Sequence, residues 1–267
     1  MAPETPVRPV ALVTGASGGI GLELARLCAK GGHDLVLVAR NQTKLEELAR
    51  YLSGMYHVRV EVVPADLARP DAPAEIMRDV KDRGLAVEVL INNAGFGLWG
   101  LFGRQDPARV LDMIQVNVTA LTALTRLVLP ELVSRRRGRI LNVASTAAFA
   151  PGPLMAVYYA TKAYVLHFSE AIGNELRGTG VTVTALCPGP TPTGFAEAAG
   201  AGGTNLFRSP AVMGVERVAA AGYRGMMRGR AVVIPGVFNR LLLLGIRLSP
   251  RWAVRQVARW LQERRVG

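Results

Sequence analysis

Cysteine is nearly absent from this chain. Among 267 residues only Cys28 and Cys187 carry thiols. Two thiols make no disulfide framework and no cysteine-based metal cluster, which fits a reducing cytoplasm. Both are expected as small buried apolar groups. Histidine is scarce too. His33, His57 and His167 have no mutual spacing for a metal or a catalytic triad, so they are expected as structural or surface residues. The opening MAPETPVRPV has no apolar h-region, so no secretory signal is expected. The longest aliphatic run, Leu241–Leu244, falls far short of the roughly 20 residues that span a bilayer. Acid is missing from one region only. Residues 1–207 hold 20 Lys/Arg and 18 Asp/Glu, whereas residues 208–267 hold 12 and 2. Most of the net charge of +12 therefore sits in the tail, a pattern that suits a polyanionic partner or a solvated helix face.

Half of the residues are hydrophobic, enough for a large core. Short β-branched runs alternate with amphipathic stretches. VALVTG (10–15), DLVLVA (34–39), RVEVVPAD (59–66), VEVLINNAG (87–95), GRILNVAS (138–145), VTVTALCPG (181–189) and RAVVIPG (230–236) read as strands. Helices are predicted at about 19–30, 43–52, 72–84, 107–135 and 157–177. Nearly continuous apolar strands are covered on both faces, as in a parallel sheet. Strict alternation with helices predicts right-handed crossovers and an α/β fold, a doubly wound sheet of seven strands in a single domain. The Gly/Ala/Pro-rich stretch at about 190–215 lies at a strand's carboxyl end, the place for a substrate lid.

The first strand runs straight into TGASGGIG, Thr14 to Gly21. A strand, a glycine turn and a helix start make a phosphate site, because glycine lets the backbone approach a pyrophosphate and the helix N-terminus supplies N–H groups. Gly15, Gly19 and Gly21 are placed at the tight turn, the close approach and the helix–strand packing; Ser17, Gly18 and Ile20 share the loop. The second strand ends in Arg40, with no acid beside it. An arginine there accommodates a 2′-phosphate, so NADP(H) is favoured over NAD(H). Later, VYYATK places Tyr158 four residues before Lys162. Residues four apart on a helix share a face, so Tyr158, not Tyr159, is paired with the lysine.

TGASGGIG, NNAG (92–95), QVNVTA (115–120), NVAS (142–145), YYATK (158–162) and CPGPTPT (187–193) follow in that order. Together they resemble the short-chain dehydrogenase/reductase family over about residues 8 to 236. Within it, the chain is similar to a bacterial NADP-type branch of DltE-like oxidoreductases. The resemblance implies a Rossmann-type fold and interconversion of a ketone or aldehyde with an alcohol. It implies that Tyr158 is the general acid in reduction and the base in oxidation, with Lys162 as the cation that favours its phenolate and holds the nicotinamide ribose. Ser145 would bond the substrate oxygen, and Asn117 would hold a water that relays protons to Lys162. Asn93, Ala94 and Gly95 would line the cofactor cleft, with Asp66 and Leu67 near the adenine. Pro188, Gly189 and Thr193 would close over the nicotinamide. Three positions depart from the usual pattern: Ala144 stands where a serine often precedes Ser145, Ser17 where a basic residue often helps bind the 2′-phosphate, and Thr161 where a serine is common. The family implies a homodimer or homotetramer, through the helices at about 107–135 and 157–177.

Residues 237–267 read as a basic, amphipathic extension of two helices broken at Ser249–Pro250. In the second, Trp252, Val257 and Trp260, with Val254 near the stripe, alternate with Arg251, Arg255, Arg259, Arg264 and Arg265. Such a helix packs on its own domain or across an oligomer, or lies in a membrane interface. Nothing resembles a nucleic-acid recognition module. The leading expectation is thus a cytoplasmic NADP(H)-dependent oxidoreductase of a small, apolar carbonyl/alcohol pair, with peripheral membrane contact as a further option. The alternatives are a non-catalytic NADP-binding regulator and a membrane-associated protein on the same fold.

Overall fold

The structure, a computed structural model, describes residues 8–263. The opening MAPETPV and the arginines at 264 and 265 lie outside the described residues. The strands are β1 (Val10–Thr14), β2 (Asp34–Ala39), β3 (Val60–Pro64), β4 (Val87–Asn92), β5 (Gly138–Val143), β6 (Val181–Leu186) and β7 (Val232–Val233). The helices are α1 (Gly19–Lys30), α2 (Gln42–Tyr56), α3 (Ala72–Asp82), α4 (Pro107–Ile114), α5 (Leu121–Ser134), α6 (Ala156–Glu175), α7 (Phe195–Ala198), α8 (Val215–Met227), α9 (Val237–Leu248) and α10 (Arg251–Gln262).

All seven strands form one parallel sheet in the order β3-β2-β1-β4-β5-β6-β7. The order reverses between β1 and β4, and a doubly wound sheet opens its ligand crevice there, at the carboxyl ends of the strands. Helices cover both faces, so β1 and the centre of β2 are buried throughout. One core holds α1, α2 and α8 against the sheet through Leu24, Leu45 and Val218; the other holds α3 and α5 through Ile76, Leu124 and Val128. This is the Rossmann-type single-domain fold that the alternating runs predict.

Several elements differ from the sequence reading, the short helix α7 among them. The helix predicted at about 107–135 is α4 and α5 joined by a π-helical turn, Gln115–Ala120. Length and composition alone would let this 28-residue run cross a membrane, but Leu124, Val128 and Leu132 are packed in the core. β7 is only two residues long, within the stretch predicted at 230–236. Helix α8 was not predicted. Its glycines obscure its period, yet they are what lets it sit close. A Cβ on Gly222 would lie 2.6 Å from Leu186 Cδ2, and one on Gly225 would lie 2.2 Å from Val233 Cγ2.

Candidate active site

The glycine turn is built by its neighbours. The Thr14 hydroxyl accepts the Asn93 and Ala94 amides, both at 3.0 Å. Asn93 Nδ2 donates to the carbonyls of Thr14 (2.9 Å) and Gly15 (3.2 Å). Asn93 thus clamps the end of β1 to the end of β4. Gly15 has φ +66°, and a Cβ on Gly21 would lie 2.3 Å from the Gly15 oxygen. Both positions need glycine, as the motif predicts. Gly18 caps α1 with no side-chain hydrogen bond, and a Cβ there would meet nothing within 4 Å. The first amides of α1 are therefore left without a side-chain acceptor beside open space, which fits a diphosphate. Gly19 (φ +55°) packs beneath Thr193, whose Cγ2 would be 3.1 Å from its Cβ. The glycine turn and the loop after β6 therefore meet across the cleft.

The other expected cofactor residues are distributed around this turn. Ser17 is half-buried in it, and Ile20 packs inward on the core. Arg40 is exposed just after β2 and takes part in no ion pair among the described residues. Leu67 and Ala94 lie beside Thr14. Asp66 turns its carboxylate onto its own chain, accepting the Ala68 amide at 3.0 Å.

The side chains predicted for chemistry converge at the ends of β5 and α6. Ser145, just after β5, lies near enough to the Tyr158 phenol to draw it downward. Its Oγ also accepts the Ala147 amide at 3.1 Å and lies 3.5 Å from the Pro188 carbonyl, which fixes its rotamer. Lys162 Nζ lies 5.8 Å from the centre of the Tyr158 ring and donates to the Val143 carbonyl at 2.8 Å. The two tyrosines of VYYATK diverge. Tyr158 faces Ser145, Lys162 and Phe195, whereas Tyr159 turns away to Gly152 and accepts a hydrogen bond from Gln262 Nε2 at 2.8 Å.

Two details of the site go beyond the sequence reading. The sequence predicts a tyrosine pushed toward its phenolate by Lys162. In the structure burial dominates and raises the Tyr158 phenol, with Ser145 pulling the other way and Tyr159 adding to the rise. Lys162 is itself buried, which pushes it down to about 8. Desolvation disfavours the charged form of both groups, so the pair rests as a neutral phenol beside a weakly held ammonium. The sequence also predicts Asn117 as the seat of a relay water. Its side chain is already committed. Oδ1 accepts the Phe96 amide (3.0 Å), while Nδ2 donates to the Phe96 carbonyl (2.9 Å) and to Thr161 Oγ1 (3.1 Å). It sits in the π-helical turn and braces the loop after β4, so a relay water would have to use its main chain. Gly95 leaves room for this brace, since a Cβ there would meet Asn117 Oδ1 at 2.9 Å.

Other residues at the cleft carry no sequence motif. Met155, Trp99 and Phe195 form an apolar wall with Tyr158, and a Cβ on Gly97 would strike Met155, Phe195 and Tyr158. Asn239 of α9 is buried beneath the loop after β6, donating to the carbonyls of Pro235 (2.9 Å) and Ala211 (3.3 Å). Gly189 must be glycine there, because a Cβ would sit 2.6 Å from the Asn239 amide. At the far end of α10, the Gln262 carbonyl accepts Trp99 Nε1 at 2.8 Å. Asn239 and Gln262 are single amides in helices chosen for their apolar and basic residues, so no local pattern marks them. Cys28 and His33 stand apart from the site, whereas Cys187 lies buried close to Ser145 and Lys162. His33 is buried on the Cys28 carbonyl, and no metal-binding cluster occurs among the described residues. Burial pushes both thiols up to about 12.

Comparison with known proteins agrees with this geometry. Residues 9–202 match the short chain dehydrogenase family. Very-long-chain 3-oxoacyl-CoA reductase-A of Danio rerio is 34% identical over 182 residues, 67% of this chain and 56% of that protein. The chain thus spans little more than half the length of the curated relatives it matches. Several of the matched relatives are very-long-chain 3-oxoacyl-CoA reductases, and they do not single out the DltE-like branch. Among solved structures, a short-chain dehydrogenase from Sphingobium yanoikuyae in complex with NADPH is 38% identical, with a TM-score of 0.80 over 89% of this chain and 92% of that one. The bulky-bulky ketone specific alcohol dehydrogenase from Comamonas testosteroni is 33% identical, with a TM-score of 0.76 over 93% and 97%. Solved neighbours hold NADPH or NAD. With the glycine turn, the Ser145–Tyr158–Lys162 cluster and the sheet order all in place, the chain belongs to the short-chain dehydrogenase family of oxidoreductases.

Proposed function

We propose that this chain is an NADP(H)-dependent carbonyl reductase acting on a bulky apolar ketone, of the kind carried by a 3-oxoacyl chain. The observation that carries the reading is the gathering of half-buried Ser145 and Tyr158 with buried Lys162, next to Gly95 and on the same sheet as the glycine turn with its uncapped α1 start. The retention of all three side chains favours an enzyme over a non-catalytic regulator on the same fold. The nicotinamide cofactor would supply the hydride. Its diphosphate would rest on the α1 amides at Gly18–Ile20, its 2′-phosphate beside Arg40, and its ribose at Lys162, which spends one of three N–H donors on Val143.

The chain's own residues do the rest. Ser145 is held by Ala147 with its hydroxyl toward Tyr158, where it would bond the substrate oxygen. Tyr158 holds its proton at neutral pH because its phenol is raised, so it is ready to donate to a developing alkoxide. That protonation state suits reduction. The buried Lys162 charge steadies the same region. Met155, Trp99 and Phe195 exclude water and favour an apolar substituent.

The two free, buried cysteines fit a cytoplasmic setting. The exposed Leu111, Leu127 and Tyr164 on α4, α5 and α6 support a homodimer through that face. The test of the cofactor assignment is calorimetric titration of NADPH and NADH into wild type and Arg40→Ala. NADPH should bind at least about tenfold more tightly than NADH in wild type, and the preference should collapse in the variant. Equal binding of both cofactors to wild type would reject the NADP(H) assignment.

A further inference from the structure

Helices α9 and α10 leave much of their apolar surface outside. Helix α10 buries Val254, Ala258 and Gln262, at i, i+4 and i+8. Its tryptophans are left outside: Trp252 is 65% exposed and Trp260 is 56% exposed. Beside that stripe runs a second one, Arg251, Arg255 and Arg259, also exposed and at the same spacing. Helix α9 behaves alike. It buries Asn239 and Leu243 and turns Leu241 (61%), Leu244 and Leu248 (77%) to solvent. The exposed apolar side chains of both helices are thus spent on neither the core nor the substrate wall, although Leu243, Val254 and Ala258 are buried.

We propose that the exposed tryptophan, leucine and arginine side chains of α9 and α10 bind the surface of an anionic lipid bilayer. Tryptophan is suited to the headgroup level, and leucine to the acyl boundary just beneath it. The adjacent arginines would meet lipid phosphates, which take guanidinium groups in paired hydrogen bonds. A second copy of this chain is the poorer occupant. Residues 237–263 carry five arginines and one acid, Glu263, and that acid is already paired with Arg259 at 3.1 Å. A two-fold contact through this face would oppose like charges with no acid to answer them. The face also leads to the cleft, since Gln262 at the end of α10 is bonded to both Trp99 and Tyr159. A reductase docked this way would hold its apolar substrate wall beside the bilayer; that consequence rests on the reductase reading, while lipid binding does not.

The test is sedimentation of the full chain with vesicles of phosphatidylcholine alone and of phosphatidylcholine mixed with phosphatidylglycerol, with reduction of a water-soluble ketone by NADPH followed in parallel. Binding is expected on the mixed vesicles, weak on phosphatidylcholine alone, and reduced by high salt. Arg251→Gln/Arg255→Gln/Arg259→Gln should lower partitioning at least about tenfold, and so should Trp252→Ala/Trp260→Ala. Both variants change only solvent-facing side chains, so turnover of the soluble ketone should stay as in wild type. Absent binding, equal binding to both vesicles, or binding untouched by either variant would overturn the proposal. So would a dimer in lipid-free buffer that the tryptophan variant dissociates. If vesicles bind but no ketone is reduced, the reductase reading fails and this one stands.

Discussion

The body of the molecule and its tail obey different rules. In the body, apolar residues are inside: Leu12, Leu37, Leu90 and Ile91 are fully buried, and residues 1–207 hold 18 acids against 20 bases. In the tail, Leu241, Leu248 and Trp252 face solvent, while two amides, Asn239 and Gln262, are buried. The body is held by apolar area. The tail is held by a few hydrogen bonds and small contacts, and its apolar surface remains free for something else.

The sharpest break between the regions should come from chemistry. Tyr158→Phe keeps the ring against Phe195 but removes the proton donor, so turnover should fall by about 10²–10⁴-fold with little change in melting temperature. A parallel loss of folding would mean that Tyr158 is only a packing residue. Next comes the glycine turn. Gly21→Ala should cost about 1–3 kcal/mol in denaturant unfolding, because its Cβ would run into the Gly15 carbonyl. It should weaken NADPH binding as well. In the tail, Gln262→Leu removes the partner of the buried Tyr159 hydroxyl and should cost about 1–3 kcal/mol, again by denaturant unfolding. An unchanged stability would show that α10 is not latched to the body.

The smallest effect concerns pH. Lys162 is pushed down to about 8 and Tyr158 is raised, so the lysine loses its proton first as pH rises. The reductase rate should therefore decline by a few-fold through about pH 8 while Tyr158 still carries its proton. A rate flat to pH 10 or above would mean that the lysine charge does not matter.

The parts legible in the sequence were those that repeat a local rule. Parallel strands buried on both faces show themselves as apolar runs, and the four-residue spacing separates Tyr158 from Tyr159. Gly15 and Gly21 are legible because no other residue fits the turn. What escaped depends on distant neighbours. Helix α8 hides behind glycines whose purpose is close approach to Leu186 and Val233. The commitment of Asn117 to Phe96 and Thr161 requires the π-helical turn that points it there. The protonation of Tyr158 depends on how deeply it is buried, which spacing to Lys162 cannot reveal. The sequence of the tail leaves its docking open between the body, an oligomer and a membrane, because which side of α10 is buried depends on distant residues such as Trp99 and Tyr159.

The most direct test of the account is a single experiment on wild type: NADPH mixed with a bulky aryl ketone, following the loss of NADPH absorbance and the alcohol formed. The account predicts one alcohol for each NADPH consumed. Binding of NADPH without any alcohol, across ketones that fit the apolar wall, would contradict it.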